Sequence, residues 1–267
     1  MLRFFRHIRK PLMEQNKVRK YTLYALGEIL LVVVGILIAL QINNWNEERI
    51  NAQQEKIILQ NLRSDLILEQ QNLLSHIDAQ NIWVDGGVYI LRHFDDHSGF
   101  EIDTELLKRL NDLFARAGYV PVITTFETLE NTGNIDLIQN EELKSEIVNY
   151  YQSIITFATN TQNNNADLVD GLVNHVLIEL TFLKPNLFTD SSKDWFPVFD
   201  QVDYELQSNQ MFLDHLQTKL SDLDNAARMI NVVNFRILLA NIQLSFAGEY
   251  LERTADLLEL IEVELDK

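Results

Sequence analysis

Residues 23–42, LYALGEILLVVVGILIALQI, are apolar throughout apart from Glu28 and Gln41. About 20 helical residues rising 1.5 Å each cover about 30 Å, the thickness of a bilayer's hydrocarbon core. A single transmembrane helix over residues 21–45 is therefore expected. Tyr21 and Tyr24 stand at one end of it and Trp45 at the other, where amphipathic rings favour the headgroup layers. A cleaved signal peptide would want an apolar stretch of about 7–15 residues followed by a small-x-small site. This run is longer, and Ala39-Leu40-Gln41 ends on a glutamine, so it reads as an uncleaved anchor.

The charge around the run orients it. Arg3, Arg6, Arg9, Lys10, Lys17, Arg19 and Lys20 oppose only Glu14, so the first twenty residues carry +6, leaving −23 on the remainder of a chain at −17 overall. The positive-inside rule then places residues 1–20 in the cytosol and residues 46–267 outside. Within the basic segment, Leu2, Phe5, Ile8 and Leu12 recur at helical spacing, which fits either an interfacial amphipathic helix or a basic tail that only sets topology.

The exported part is long enough for a substantial core. It contains no cysteine, which excludes disulfides, thiolate chemistry and Cys-ligated zinc. Its acidity argues against a nucleic-acid partner. The pattern reads as all-α, an elongated antiparallel helical bundle continuing out of the membrane helix. Ile50, Ile57, Ile58, Leu62, Leu66, Leu73 and Ile77 form an amphipathic stripe. Gly86-Gly87 marks either a bend or a close helix crossing. Asp103 is placed to cap a helix of Thr104 to Ala117 stopped by Gly118. Thr124 to Glu127 reads as a capping box opening a short helix that ends at Gly133, and Asn140 caps a long helix. The polar tract Asn160 to Asn165 weakens that helix; Gln162 to Asn165 reads as a solvated or frayed stretch in preference to the alternative of a polar-ligand site, after which Leu168, Leu172, Val176 and Leu180 resume the apolar face. Residues 185–203 have loop character, and Tyr204 to Leu220 and Ala226 to Leu265 read as further helices.

The block from Tyr24 to Arg49, which contains GEILLVVVGILIALQINNWNEER, and the later block TFETLENTGNIDLI (125–138) followed by Tyr150-Tyr151 together resemble an uncharacterised Bacteroidota family of single-pass inner-membrane proteins. The resemblance implies a Gram-negative inner membrane and a periplasmic domain of unknown function. It brings no catalytic or ligand residues with it.

Two sets of residues stand out as candidate sites. At 100° per residue, Glu28, Gly35 and Ala39 share one side of the membrane helix, and the small pair Gly35-x-x-x-Ala39 lets two backbones approach closely. This face predicts a homo-oligomer within the lipid bilayer. His93 and His97, at i and i+4 beside Asp95 and Asp96, have the spacing of a metal-ligand pair, although histidines also suit the helix C-terminus expected just before Ser98-Gly99. His76, His175 and His215 lack ligand spacing and read as surface or boundary residues. No cofactor is expected, and no nucleophile elbow or phosphate loop is present. The reading is of a non-catalytic scaffold, interaction or sensing module with an envelope protein as a candidate partner. The alternatives are a subunit of a proton-coupled membrane complex using Glu28 and, more distantly, a metal-dependent hydrolase at His93 and His97.

Overall fold

The computed structural model describes residues 18–184, 186–195 and 209–267, and among these there is no strand. The expected amphipathic segment at 1–17, the side chain of Tyr21 and the stretch 204–208 lie outside the described residues. The chain divides into two compact units, Met1–Ile57 and Ile58–Lys267. Helix α1 (Val18–His97) contributes to both.

In the first unit every large apolar side chain from Leu23 to Ile42 is exposed, the least being Val34 at 43%. Apolar surface of that extent is unfavourable in water, so the apolar side chains of this segment match lipid as their surroundings.

The second unit is a helical bundle. Besides the rest of α1 it contains α2 (Thr104–Asp112), α3 (Thr124–Thr132), a 3₁₀ turn (Asn134–Leu137) and α4 (Glu141–Asn164). A π-helical segment (Asn165–Val173) leads into α5 (Asn174–Leu180), followed by α6 (Asp190–Trp195), α7 (Asn209–Leu220) and α8 (Leu223–Leu265). Its organising feature is a pair of matched stripes. On α1 the positions 59, 62, 66, 69, 73, 76, 80, 83, 87 and 90 are all buried, in steps of three and four. On α8 the positions 229, 233, 236, 240, 243, 247, 250, 254, 257 and 261 do the same. That alternation keeps one seam of each helix facing its partner. The two helices run antiparallel: Arg63 pairs with Glu262 at 3.0 Å near one end, and Trp83 lies under Arg236 toward the other.

Gly86-Gly87 does not break α1. A Cβ on Gly87 would lie 2.4 Å from Cγ1 of Ile237, so α8 passes close to α1 at this glycine. The 43 residues of α8 give it a length of about 65 Å. Asp222 caps it through Asn225 N–H, so the helix starts at Leu223, three residues ahead of the expected Ala226.

Four local expectations change. Asp103 caps α2 as expected, accepting from Leu106 N–H at 2.7 Å, but α2 stops at Asp112 rather than Ala117. The carbonyls beyond are taken by tertiary donors: Trp83 Nε1 donates to Asp112 O and Arg236 to Ala115 O. Helix α3 ends at Gly133 in the left-handed region (φ 71°) as read, yet no side chain of its own caps its start; Asp65 of α1 accepts from Thr125 N–H at 2.9 Å instead. Finally, α4 does not fray at Gln162 to Asn165. It runs on into the π-helical segment, whose wider turns shift the buried face to Val169, Val173, Leu177 and Leu180, leaving Leu172 exposed. Within the stretch read as loop, α6 forms a short helix.

Candidate functional site

The proposed membrane contact face is uncovered in a single chain. A Cβ on Gly35 would meet nothing within 4 Å. Tyr24 and Trp45 are exposed at the two ends of the run, and Glu28 is partly covered.

His93 and His97 come together, but as a stacked pair, with ring centroids 4.3 Å apart and planes inclined by 27°. Two imidazoles gripping one metal must converge their nitrogens on a point about 2.0–2.1 Å from each. Here each Nε2 has its own carboxylate: Asp103 at 3.3 Å for His93 and Glu101 at 3.6 Å for His97, while Nδ1 of His97 lies 2.8 Å from the His93 carbonyl. Among the described residues no group of three or more His, Asp or Glu side chains comes together in a way that would hold a metal. The pair closes the C-terminus of α1, where Gly99 N–H also donates to Phe94 O.

A more unusual arrangement lies in the core, at residues for which the sequence suggested no functional role. The second unit has two apolar clusters. One is built around Leu62, Leu66, Phe126, Ile147, Tyr151, Ile154 and Ile261, the other around Trp83, Ile90, Leu110, Leu177, Met229 and Ala240. On three helical stretches the change from one cluster to the other falls at a buried polar residue: His76 on α1, Thr161 on α4 and Gln243 on α8. Thr161 Oγ1 donates to Gln243 Oε1 at 2.8 Å, and Gln80 Nε2 lies 3.2 Å from His76 Nε2. The imidazole of His76 meets the rings of Tyr119 and Phe157 edge-on, and the Gln243 side chain neighbours it. His76 is therefore a core residue and not the surface or boundary residue expected. Burial holds it neutral, pushing its pKa down to about 4.

One heptad step earlier on α1, Glu69 is equally buried. It accepts from Tyr119 Oη and from Val122 N–H at 2.6 Å, and desolvation raises its pKa against the effect of those bonds. With Asp65 on Thr125 N–H and Asn72 on the Val120 carbonyl, α1 fastens the segment 119–125 entirely through its own polar side chains. Near the other end, Arg236 is 2% exposed, lies 4.1 Å over the Trp83 ring and donates to Ala115 O; burial lowers its pKa to about 9. Its charge is held by a ring face and by the Ala115 carbonyl just past the end of α2. Asp112, also buried, accepts from Thr189 N–H and Oγ1, tying α2 to the start of α6.

Glu69, Tyr119 and His76 place a carboxyl, a phenol and an imidazole near one another, but all three are at most 6% exposed. Their geometry locks register and loop position rather than opening to a substrate.

The family of unknown function DUF6090 has a family model that matches residues 28–189, more than half of the chain. The chain belongs to this family. The matched span begins inside the apolar run and continues through α5, so it takes in Glu28, the 59–90 stripe, the Glu69 clamp and Thr161, while Arg236 and Gln243 lie beyond it on α8. Searches of curated proteins and of solved structures find no match.

The 59–90 stripe was the signal that could have exposed the buried polar residues. Glu69, His76 and Gln80 continue the same three-four alternation as Leu59, Leu62, Leu66 and Leu73, and only a strict hydrophobic filter hides them.

Proposed function

We propose that the chain is a membrane-anchored helical module of the cell envelope, without catalytic activity, that acts by interaction or sensing. In this reading residues 1–20 are cytosolic, 21–45 cross an inner membrane of the Bacteroidota type, and the helical bundle is periplasmic. The observation that carries it is the exposure of every large apolar side chain from Leu23 to Ile42, directly behind a segment of +6. Helix α8 also meets the length and hydropathy of a span, but 39% of its apolar window is buried and its seam packs on α1, which supports one crossing rather than two.

A topology reporter fused after Lys267 tests this. Activity restricted to export is the expected result, and a cytosolic C-terminus would overturn it. The module assembles as a homo-oligomer through Glu28, Gly35 and Ala39, with close backbone contact supplying most of the association. Cross-linking in native membranes is expected to trap the oligomer, Gly35→Ile to weaken it strongly and Glu28→Gln to weaken it little. Loss of a cellular function in Glu28→Gln with the oligomer intact would instead favour the proton-coupled reading.

A further inference from the structure

A cavity of about 460 Å³ opens between α4 and α8 at the level where the two apolar clusters part. Its size falls in the range of small-molecule sites, about 300–1,000 Å³. The two walls differ in chemistry. On α4, Thr156, Asn160 and Asn163 recur at four- and three-residue steps, with Asn164 beside the last, and present a hydroxyl and three carboxamides. On α8, Ile242 and Phe246 present apolar surface, Phe246 being 48% exposed. The deep side is formed by Phe157, Gln243 and Tyr250, all nearly buried.

That deep side is fixed in place. Gln243 is held by Thr161 and backed by His76, and Tyr250 Oη donates to Ser153 O at 2.8 Å. The Phe157 ring packs against those of Tyr250 and Phe246, with centroids 5.1 and 6.2 Å away. The π-helical segment begins at Asn165, immediately after the carboxamide wall, and π-helical insertions often mark functional sites.

Although the chain carries −17, the cavity is lined by no charged side chain. A second cavity, at Asp78, Asp85, Arg109 and Asp194, has the opposite character. A neutral site with donors and acceptors along one wall and an aromatic face along the other selects an uncharged ligand that is polar at its edge and apolar on its face. A pyranose ring has that form: hydroxyls or an acetamido group around the rim, C–H bonds on the face. We infer that this cavity binds an uncharged saccharide unit, its rim hydrogen-bonded to Asn160, Asn163 and Asn164 and its face laid on Phe246. This site goes beyond the proposed anchoring and oligomerisation and does not depend on which side of the membrane the bundle occupies.

Titration calorimetry of the full chain in detergent, with chitotriose and maltotriose as probes, tests the inference. Saturable binding of at least one sugar is expected, weakened about tenfold or more in Phe246→Ala and in Asn163→Ala. Leu238→Ala, an exposed apolar position on α8 outside the cavity, is expected to keep wild-type affinity. Both cavity residues are exposed, so the variants should keep the wild-type far-UV spectrum. Absence of binding by either sugar, or binding unchanged in both cavity variants, would overturn the inference. So would saturation by an uncharged, end-blocked tripeptide when neither sugar binds.

Discussion

Helix α1 holds two stretches rich in apolar residues, 23–42 and the longer 59–90, and they have opposite fates. In the first, apolar residues occupy every side of the helix and all the large ones are exposed. In the second they keep to one seam, and that seam is buried. Total hydropathy distinguishes the two less clearly than angular distribution does. A helix apolar all round requires an apolar solvent, whereas a stripe requires a partner of matching period. In α1 the partner is α8, forty-three residues carrying the same three-four alternation.

Substitution of one large apolar residue in each stretch should break this symmetry most visibly. Trp83→Ala removes a side chain that is 1% exposed, deprives the Asp112 carbonyl of its donor and leaves the Arg236 guanidinium without its ring. A loss of about 3–5 kcal/mol is expected. Val33→Ala, on the exposed stretch, should leave the unfolding free energy of the bundle unchanged. Denaturation of the full chain in detergent, followed by far-UV circular dichroism, measures both. A similar loss in the two variants would mean that residues 23–42 are part of the bundle's packing.

The polar layer gives the next largest effect, and its sign is fixed by burial. The pKa of His76 is depressed to about 4 in the folded chain against about 6.5 when unfolded. The unfolded state therefore binds the extra proton, so stability is complete above pH 6.5 and falls as the pH drops toward 4, by about 2 kcal/mol at pH 5. Glu69 and Asp112, whose pKa values are raised, act in the opposite direction, so the net slope alone does not isolate the histidine. His76→Gln does: the variant should lose less stability than the wild type between pH 7.5 and pH 5 in urea titrations. Equal losses would show that the imidazole is hydrated in the folded state.

How much of this was legible in the sequence follows from the same contrast. The apolar run, the caps at Asp103 and Asn140 and the stop at Gly133 are local signals, and each has its observed counterpart. The end of α2 and the start of α3 were misread because Trp83, Arg236 and Asp65 supply hydrogen bonds from far along the chain. The face beyond Asn165 was misplaced because π-helical turns change the period, and no residue type announces them. Among candidate sites, His93 and His97 lie side by side as a stacked pair, and stacking is invisible to spacing alone. Arg236, Gln243, Glu69 and His76 were missed since polar residues at core positions look like solvated ones until the partner helix is known. At such positions they hold register: a slip of α8 would part Gln243 from Thr161 and Arg236 from the Trp83 ring and the Ala115 carbonyl.

Gly86 and Gly87 sharpen the comparison at the scale of one residue. They are neighbours on the same helix, both buried, and nothing in their local sequence separates them. A methyl group on Gly87 would fall 2.4 Å from Cγ1 and 2.8 Å from Cδ1 of Ile237, a β-branched side chain with little rotamer freedom in a helix. Gly87→Ala must therefore push α8 away and should destabilise the bundle by about 1–3 kcal/mol. A methyl group on Gly86 would meet only the Cδ and carbonyl oxygen of Arg109, both at 3.9 Å, an ordinary contact. There the gain in helix propensity should dominate, and Gly86→Ala is expected to stabilise by up to about 1 kcal/mol. Opposite signs at adjacent positions are the signature of a crossing point. If both alanines stabilise, α1 and α8 are farther apart than 2.4 Å allows; if both destabilise, the Arg109 side of α1 is packed as tightly as the seam.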